Sequence, residues 1–370
     1  GVDDRDQHHV TSVNALPFAA WNRTYGRVFR AAIGAGIWSV MSGHIALPCW
    51  RDAGLTPASL SRELNLGLLR GRLGFNGVIV SDASCMAGLT VHERRETLVP
   101  RVVANGCDLL LFPVDPELDL DYLARAVATG RLAEDCVDAA VLRVLALKAA
   151  LGLHRGLRIP RAPGRAVLRK HAGWAQETAL GAVTLVRDDA RLLPLDPGRH
   201  RRLLLVERRN RRNGFGPLPE LQMERLLRAE GFAVERLRDE ADVQTDKFDV
   251  ALYVVAEEAA VGKATLNIRW QDLMGDFRLS MVRTWPELPT VFVSLGHPWH
   301  GRELTGCPTV LNAYSPVPAM QAAVVAALTG KWRIAGRSPV RLDPASGEPI
   351  IGTATAATRF GQYERRRDRG

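Results

Sequence analysis

Gly74-Phe75-Asn76-Gly77-Val78-Ile79-Val80-Ser81-Asp82-Ala83-Ser84 is the stretch whose reading decides the fold. Gly77 to Val80 reads as a short, fully buried strand: β-branched, uncharged and preceded by a glycine turn. It delivers Ser81 and Asp82 to its C-terminal end. In an α/β barrel or a doubly wound sheet, ligands and catalytic groups gather at that end. A carboxylate held there by a rigid strand is a candidate nucleophile or base. The alternative is that Asp82 caps the following helix, since Asp is a favoured N-cap.

Working outward, strand and helix signals alternate on both sides. Phe18, Trp21, Tyr25, Val28, Phe29 and Ala32 recur at helical spacing, which predicts an amphipathic helix over Pro17 to Ala35. Ile37 to Met41 reads as a strand ending at Ser42-Gly43-His44. Thr56-Pro57 is a helix start, Thr as N-cap and Pro in the first turn, running to about Leu73. A helix over about Val91 to Ala104, a buried strand over Asp108 to Phe112, and helices over Leu118 to Ala128 and Glu134 to Leu151 follow. The repeat is the size of a βαβ unit, so a parallel sheet or barrel follows. A (β/α)₈ barrel takes about 250 residues; only three strands are legible before the chain changes character. Either it carries the C-terminal half of a barrel, or it forms a small open sheet.

Residues 154–171, rich in Arg, Pro and Gly, read as a linker after a first domain at 1–153. A helix over about Lys170 to Leu180 leads into a second α/β domain, 172–352. Strand candidates there are Ala182 to Val186, Arg202 to Val206, Asp249 to Val255, Thr290 to Leu295 and Pro308 to Leu311. Helices are expected over Glu220 to Glu230, Gln271 to Trp285 and Val317 to Leu328. Residues 353–370 read as a loose basic tail.

Hydrophobic residues make up 46% of the 370, ample for sizeable cores. No apolar run approaches a membrane span, and no signal peptide is visible. Cys49, Cys85, Cys107, Cys136 and Cys307 include no Cys-x-x-Cys pair, which argues against a zinc site or a disulfide framework. Reduced, mostly buried thiols in a cytoplasmic setting are expected. The net charge is +9, and only five of the 49 basic residues are Lys. Arg199 to Arg212 and Arg365 to Arg367 carry the densest runs. No recognition motif or interleaved aromatic set accompanies them, so solvated faces are expected rather than nucleic-acid binding. Asn213-Gly214-Phe215-Gly216 lacks phosphate-loop spacing and reads as a turn.

Longer motifs then carry a resemblance. Gly74 to Thr90 (GFNGVIVSDASCMAGLT) resembles the nucleophile segment of glycoside hydrolase family 3. Ser39 to Trp50 (SVMSGHIALPCW), Ser61-Arg62-Glu63-Leu64 and Leu69-Arg70 resemble the preceding βα unit. Gly1 to His8 (GVDDRDQH) resembles the Asp-x-His loop of the β-N-acetylglucosaminidase branch. Thr290 to Leu328 and Gly336-Arg337-Ser338-Pro339-Val340 resemble the family's C-terminal domain. The matches run in order over nearly the whole chain. They imply the C-terminal half of a TIM-type (β/α)₈ barrel followed by an α/β sandwich domain, with the N-terminal part of the barrel absent.

The resemblance implies retaining hydrolysis of terminal β-linked N-acetylglucosamine from cell-wall or chitin fragments, with no metal or organic cofactor. Such a reaction needs a carboxylate that attacks the anomeric carbon and an acid that protonates the leaving oxygen, then acts as base on water. Asp82 takes the first role. His8 takes the second, oriented by Asp6, because an imidazole titrates near the pH at which it must give and take a proton; His9 is the alternative. Met41 and His44 are candidates for sugar binding, although Met is commonly core and a strand-end His can instead bond to backbone. Trp299, His297 and His300 lie in a second-domain loop and are expected to serve packing. Two alternatives stay open: a phosphorylase on the same scaffold, and an inactive fragment or carbohydrate-binding module. Little activity is expected of the 370 residues alone.

Overall fold

The computed structural model describes residues 6–156, 161–209, 219–237, 244–257, 267–340 and 342. They form two compact units divided near residue 160.

The first unit is built on parallel strand segments taken in chain order. β1 (Ser12–Val13) pairs with β3 (Ile45–Ala46), and β2 (Ser39–Ser42) pairs with β4 (Val78–Ser81). β2 and β3 are two parts of one run, interrupted at Gly43-His44. Beyond β4, a parallel bridge joins Val80 to Leu109. This is the strand order and direction of a TIM-type (β/α) barrel. Gly77 is required where β4 begins, because a Cβ there would lie 2.4 Å from Trp38 O.

The segment expected as a strand over Asp108 to Phe112 is not a regular one. Asp108 N and Leu109 N both donate to Ile79 O, but Leu111 N donates to the Ser81 hydroxyl at 2.9 Å instead of to a backbone carbonyl. Phe112 then turns to φ 49°. A side chain has replaced part of the ladder.

The helices pack on two apolar clusters, one in which Val40, Leu60, Ile79, Leu89, Leu98 and Val102 meet and one formed by Leu16, Trp21, Leu47, Trp50, Leu64 and Leu68. The helix expected over 17–35 is two, Phe18–Arg23 and Tyr25–Gly34. Thr24 breaks it, its hydroxyl donating back to Ala20 O at 2.8 Å. Thr56 caps no helix: a short turn covers Ala58–Leu60, and the helix proper is Glu63–Arg72. It is a widened π-helix throughout, its end closed by Leu73 N donating to Leu68 O, five residues back. The helix expected over 91–104 is Arg95–Ala104, preceded by one turn at Ala87–Thr90. Pro116–Ala128 and Glu134–Ala150 follow.

Buried beneath the strands, Asp108 accepts from Arg70 at 2.7 Å, from Arg143 at 3.0 Å and from Ile79 N at 2.8 Å. One carboxylate thus ties two helices to β4. Desolvation by burial pulls the Arg70 guanidinium below its ordinary value, and Asp108 opposes that.

The second unit carries a six-stranded sheet in the order β5-β10-β9-β8-β6-β7. The strands are β5 (Thr184–Asp188), β6 (Arg202–Arg209), β7 (Ala233–Arg236), β8 (Val250–Ala256), β9 (Thr290–Ser294) and β10 (Thr309–Asn312). All neighbours are parallel except β5 and β10. Every residue of β8 is buried. Leu252 and Val254 face the helices Arg165–Ala182 and Pro318–Leu328, while Ala251, Tyr253 and Val255 enter a second core with Leu273, Leu279 and Leu304. Burial on both faces is why the sequence Val-Ala-Leu-Tyr-Val-Val-Ala shows no alternation.

Three of the strands, β1, β3 and β7, were not foreseen. The helix expected over 271–285 is two short pieces, Trp270–Met274 and Phe277–Ser280, separated by Gly275 at φ 79°. Helix also begins at Arg165, inside the stretch read as linker. The thiols are less buried than expected: Cys107 and Cys307 are buried, Cys49 and Cys136 half-buried, and Cys85 exposed. Asn213 to Gly216, Arg211, Arg212 and the stretch 353–370 lie outside the described residues. No described helix is long and apolar enough to cross a membrane.

Candidate active site

Asp82 stands at the C-terminal end of β4, with its backbone N–H donating to Ser42 O at the end of β2. Its Oδ1 accepts from Ala83 N at 2.8 Å. It caps no helix, because the turn Ala87–Thr90 starts after Met86. The side chain is half-buried.

His44 supports the residue after it. The ring is fully buried; Nε2 lies 3.0 Å from Ala83 O and Nδ1 2.8 Å from the Ser59 hydroxyl. A carbonyl only accepts, so Nε2 carries the proton and Nδ1 accepts from Ser59. Burial pulls the His44 pKa down, which suits this neutral form. Both ring nitrogens are bonded to protein, one of them to backbone as a strand-end His can be, and the residue braces the turn after Asp82.

The second group comes from the loop before β1. The Asp6 carboxylate accepts from His8 N at 2.9 Å and from His8 Nδ1 at 2.6 Å. His9 N and Val10 N donate to Asp6 O, closing a tight turn of the kind Asp side chains nucleate. A carboxylate accepts only, so Nδ1 of His8 holds its hydrogen and Nε2 is the nitrogen left to exchange a proton. The His8 side chain is 33% exposed and Asp6 14%. His9 is exposed.

Three contacts pin this turn to the segment after Asp82. Ala87 N donates to His8 O at 3.0 Å. The Thr11 hydroxyl donates to Gly88 O at 2.8 Å and sits 2.7 Å from His92 Nε2. Gly88 permits the approach, since a Cβ there would lie 2.5 Å from Gln7 O and 2.8 Å from Val10 O. Between the two ends, Gln7 Nε2 donates to Asp82 Oδ2 at 3.3 Å.

The structure therefore brings Asp6, His8 and Asp82 into one neighbourhood, joined through Gln7. Sequence reasoning passed over Gln7, Thr11 and His92. For Gln7 the available signal was its place inside Asp-x-His. Met41, on β2, is 55% exposed. Trp299 is half-buried, while His297 and His300 are buried in the second unit, His300 Nδ1 lying 2.8 Å from Ser294 Oγ. Beside the turn after Asp82, Cys85, His92, Arg94, Arg95 and Val114 help line an open hollow of about 530 Å³. Its size falls in the range of small-molecule pockets. Among the described residues, no three His, Cys, Asp or Glu side chains are grouped to hold a metal ion.

Residues 1–147 match the glycosyl hydrolase family 3 N terminal domain. Over those residues the chain belongs to glycoside hydrolase family 3. It is 36% identical over 365 residues to a β-N-acetylglucosaminidase/β-glucosidase of Cellulomonas fimi, covering 92% of this chain and 64% of that protein. A β-hexosaminidase of Chromobacterium violaceum is 31% identical over 128 residues, 35% of each chain. Among solved structures, a β-glucoside phosphorylase superposes with a TM-score of 0.80 at 32% identity, over 94% of this chain and 65% of that one. A family 3 β-N-acetylglucosaminidase of Paenibacillus shares the fold at a TM-score of 0.73 and 23% identity, over 92% and 65%. The chain thus spans just under two thirds of the Cellulomonas fimi relative and of both solved structures.

Proposed function

We propose that the protein is a retaining glycosidase that removes terminal β-linked N-acetylglucosamine, with Asp82 as nucleophile, His8 as acid and base, and Asp6 orienting His8. The observation that carries this reading is the Asp6–His8 contact of 2.6 Å, on a turn tied to the strand-end carboxylate. In the first step an Asp82 oxygen bonds to the anomeric carbon. The glycosidic bond breaks, and the leaving oxygen takes the proton from His8 Nε2. In the second step Nε2 takes a proton from water as its oxygen attacks the same carbon and Asp82 departs. Asp6 keeps Nδ1 occupied, so that one nitrogen does both transfers. Met41, exposed on β2, is the candidate for contact with the sugar. Cell-wall or chitin fragments are the expected source of substrate.

Likeness to a β-glucoside phosphorylase favours a second reading, in which phosphate replaces water in the second step. Release of nitrophenol from an aryl β-N-acetylglucosaminide, with and without phosphate, tests both. In the full-length protein, turnover that Asp82→Asn abolishes, in a variant that still folds, is the expected result; turnover retained in that variant overturns the nucleophile assignment. Acceleration by phosphate, with sugar 1-phosphate as product, selects the phosphorylase.

A further inference from the structure

Gln7 stands between the two residues of the Asp-x-His turn, yet its side chain points away from both. Its Nε2 reaches 75 residues along the chain to Asp82 Oδ2. Among the described residues it is the only side chain hydrogen-bonded to Asp82; the other carboxylate oxygen is held by Ala83 N. The amide can face only one way, because a carboxylate accepts and the amide oxygen cannot donate. That orientation leaves Gln7 Oε1 buried with no hydrogen-bond partner among the described residues. A buried unpaired carbonyl costs stability, so folding alone does not account for the placement.

We propose that Gln7 is a positioning residue for the nucleophile, clamping Asp82 and coupling it to the turn that carries His8. The inference rests on the reading of Asp82 and His8 given above. The carboxylate is free to rotate about its last bond unless both oxygens are held. Ala83 N fixes one, and Gln7 fixes the other and so sets the face presented to the anomeric carbon. Because Gln7 and His8 are adjacent in the chain, nucleophile and acid keep their separation when the turn shifts. The 3.3 Å contact is long for N–H···O, as catalytic hydrogen bonds often are without substrate.

The test uses Gln7→Leu and Gln7→Glu in the full chain, with aryl β-N-acetylglucosaminides of good and poor leaving groups and a 5-fluoro N-acetylglucosaminyl fluoride that traps the glycosyl-enzyme. Gln7→Leu is expected to slow trapping and turnover about tenfold, the order of one hydrogen bond to a charged group. The loss should be equal for both leaving groups, because nucleophile placement is affected and proton donation is not. Gln7→Glu is expected to lose more at neutral pH and to recover as pH falls. Ionised Glu repels Asp82, whereas protonated Glu donates to it. The other titratable groups facing this point are His8 and Asp6 on the turn and His44 behind Ala83, with His92 beyond Thr11; all are shared with the wild type, whose profile is the reference. Unchanged trapping in Gln7→Leu, or a pH-independent loss in Gln7→Glu, overturns the inference. Absence of the label on Asp82 in the wild type overturns instead the reading beneath it.

Discussion

One methyl group added at Gly88 should disable the site while sparing the fold. Gly88 lies in the helical turn Ala87–Thr90. Propensity alone would favour Ala there by about 1 kcal/mol. The surroundings oppose it: the new Cβ would meet Gln7 O at 2.5 Å, Val10 O at 2.8 Å and His44 Cβ at 3.2 Å. The first two are backbone atoms and cannot swing aside. His44 cannot retreat, because its ring is bonded at both nitrogens. Ordinary contact begins at 3.4 Å, so Gln7 O must move by about 0.9 Å, taking the Asp6-Gln7-His8 turn with it. A misplacement of about 1 Å can cost on the order of 10²-fold in rate. Overpacking of this kind costs about 1–3 kcal/mol, partly offset by the helix propensity of Ala. We therefore expect Gly88→Ala to lower kcat/KM on aryl β-N-acetylglucosaminide about 10²-fold, with Tm falling only a few degrees. Wild-type turnover together with wild-type Tm would refute the claim that this close approach seats the turn.

Loss of the acid group should be selective: His8→Ala is expected to slow substrates with poor leaving groups far more than activated aryl glycosides, and equal losses would argue against an acid role. Asp108→Ala strands Arg70 and Arg143 around a buried gap and should cost about 3–5 kcal/mol in urea unfolding, because breaking a buried ion network leaves uncompensated charge. Burial holds the His44 pKa below the ordinary imidazole value, so the folded state binds this proton less readily than the unfolded chain. The stability it contributes is complete above about pH 6.5 and is lost as pH falls toward the folded value. Urea midpoints measured from pH 7 to pH 5 should decline less steeply in His44→Asn. Some slope should survive, because burial lowers His92 and His200 as well. Burial pushes the Cys107 thiol up to about 12 and the Cys307 thiol up to about 11, while Cys85 is exposed. Alkylation near pH 8 should therefore label Cys85 in the folded protein and reach Cys107 and Cys307 only in denaturant, as peptide mass mapping would show.

How much of this was legible follows from what each element rests on. β4, β8 and β9 are buried on both faces, and their uncharged apolar runs stand out in the sequence without any alternation. β1 is two residues long and held by its neighbour rather than by its own composition, so nothing in Ser12-Val13 announced it. The stretch Asp108 to Phe112 has strand composition. Whether it forms a ladder was decided by a hydroxyl on another element, when Ser81 took the N–H of Leu111. Thr24, Gly275 and the helix start at Arg165 shifted boundaries for local reasons that apolar periodicity does not register.

The site divides along the same line. Asp82 could be singled out because it sits at the end of a legible strand, whereas the Asp6–His8 pair could be named only through the resemblance of its loop to the family's Asp-x-His loop. What places them relative to each other is spread over contacts between residues far apart in the chain, namely Thr11 with Gly88 and His92, His44 with Ser59 and Ala83, and Gln7 with Asp82. In each contact the role of a residue appears only when its partner is known. His44 shows the consequence. As a His at a strand end it could be a sugar ligand or a support for the loop, and the Ser59 hydroxyl, fifteen residues on, is what occupies its second ring nitrogen. A ligand and a brace use the same side chain at the same position. They differ in whether the second ring nitrogen is already satisfied, and that depends on how the chain folds around it rather than on the local sequence.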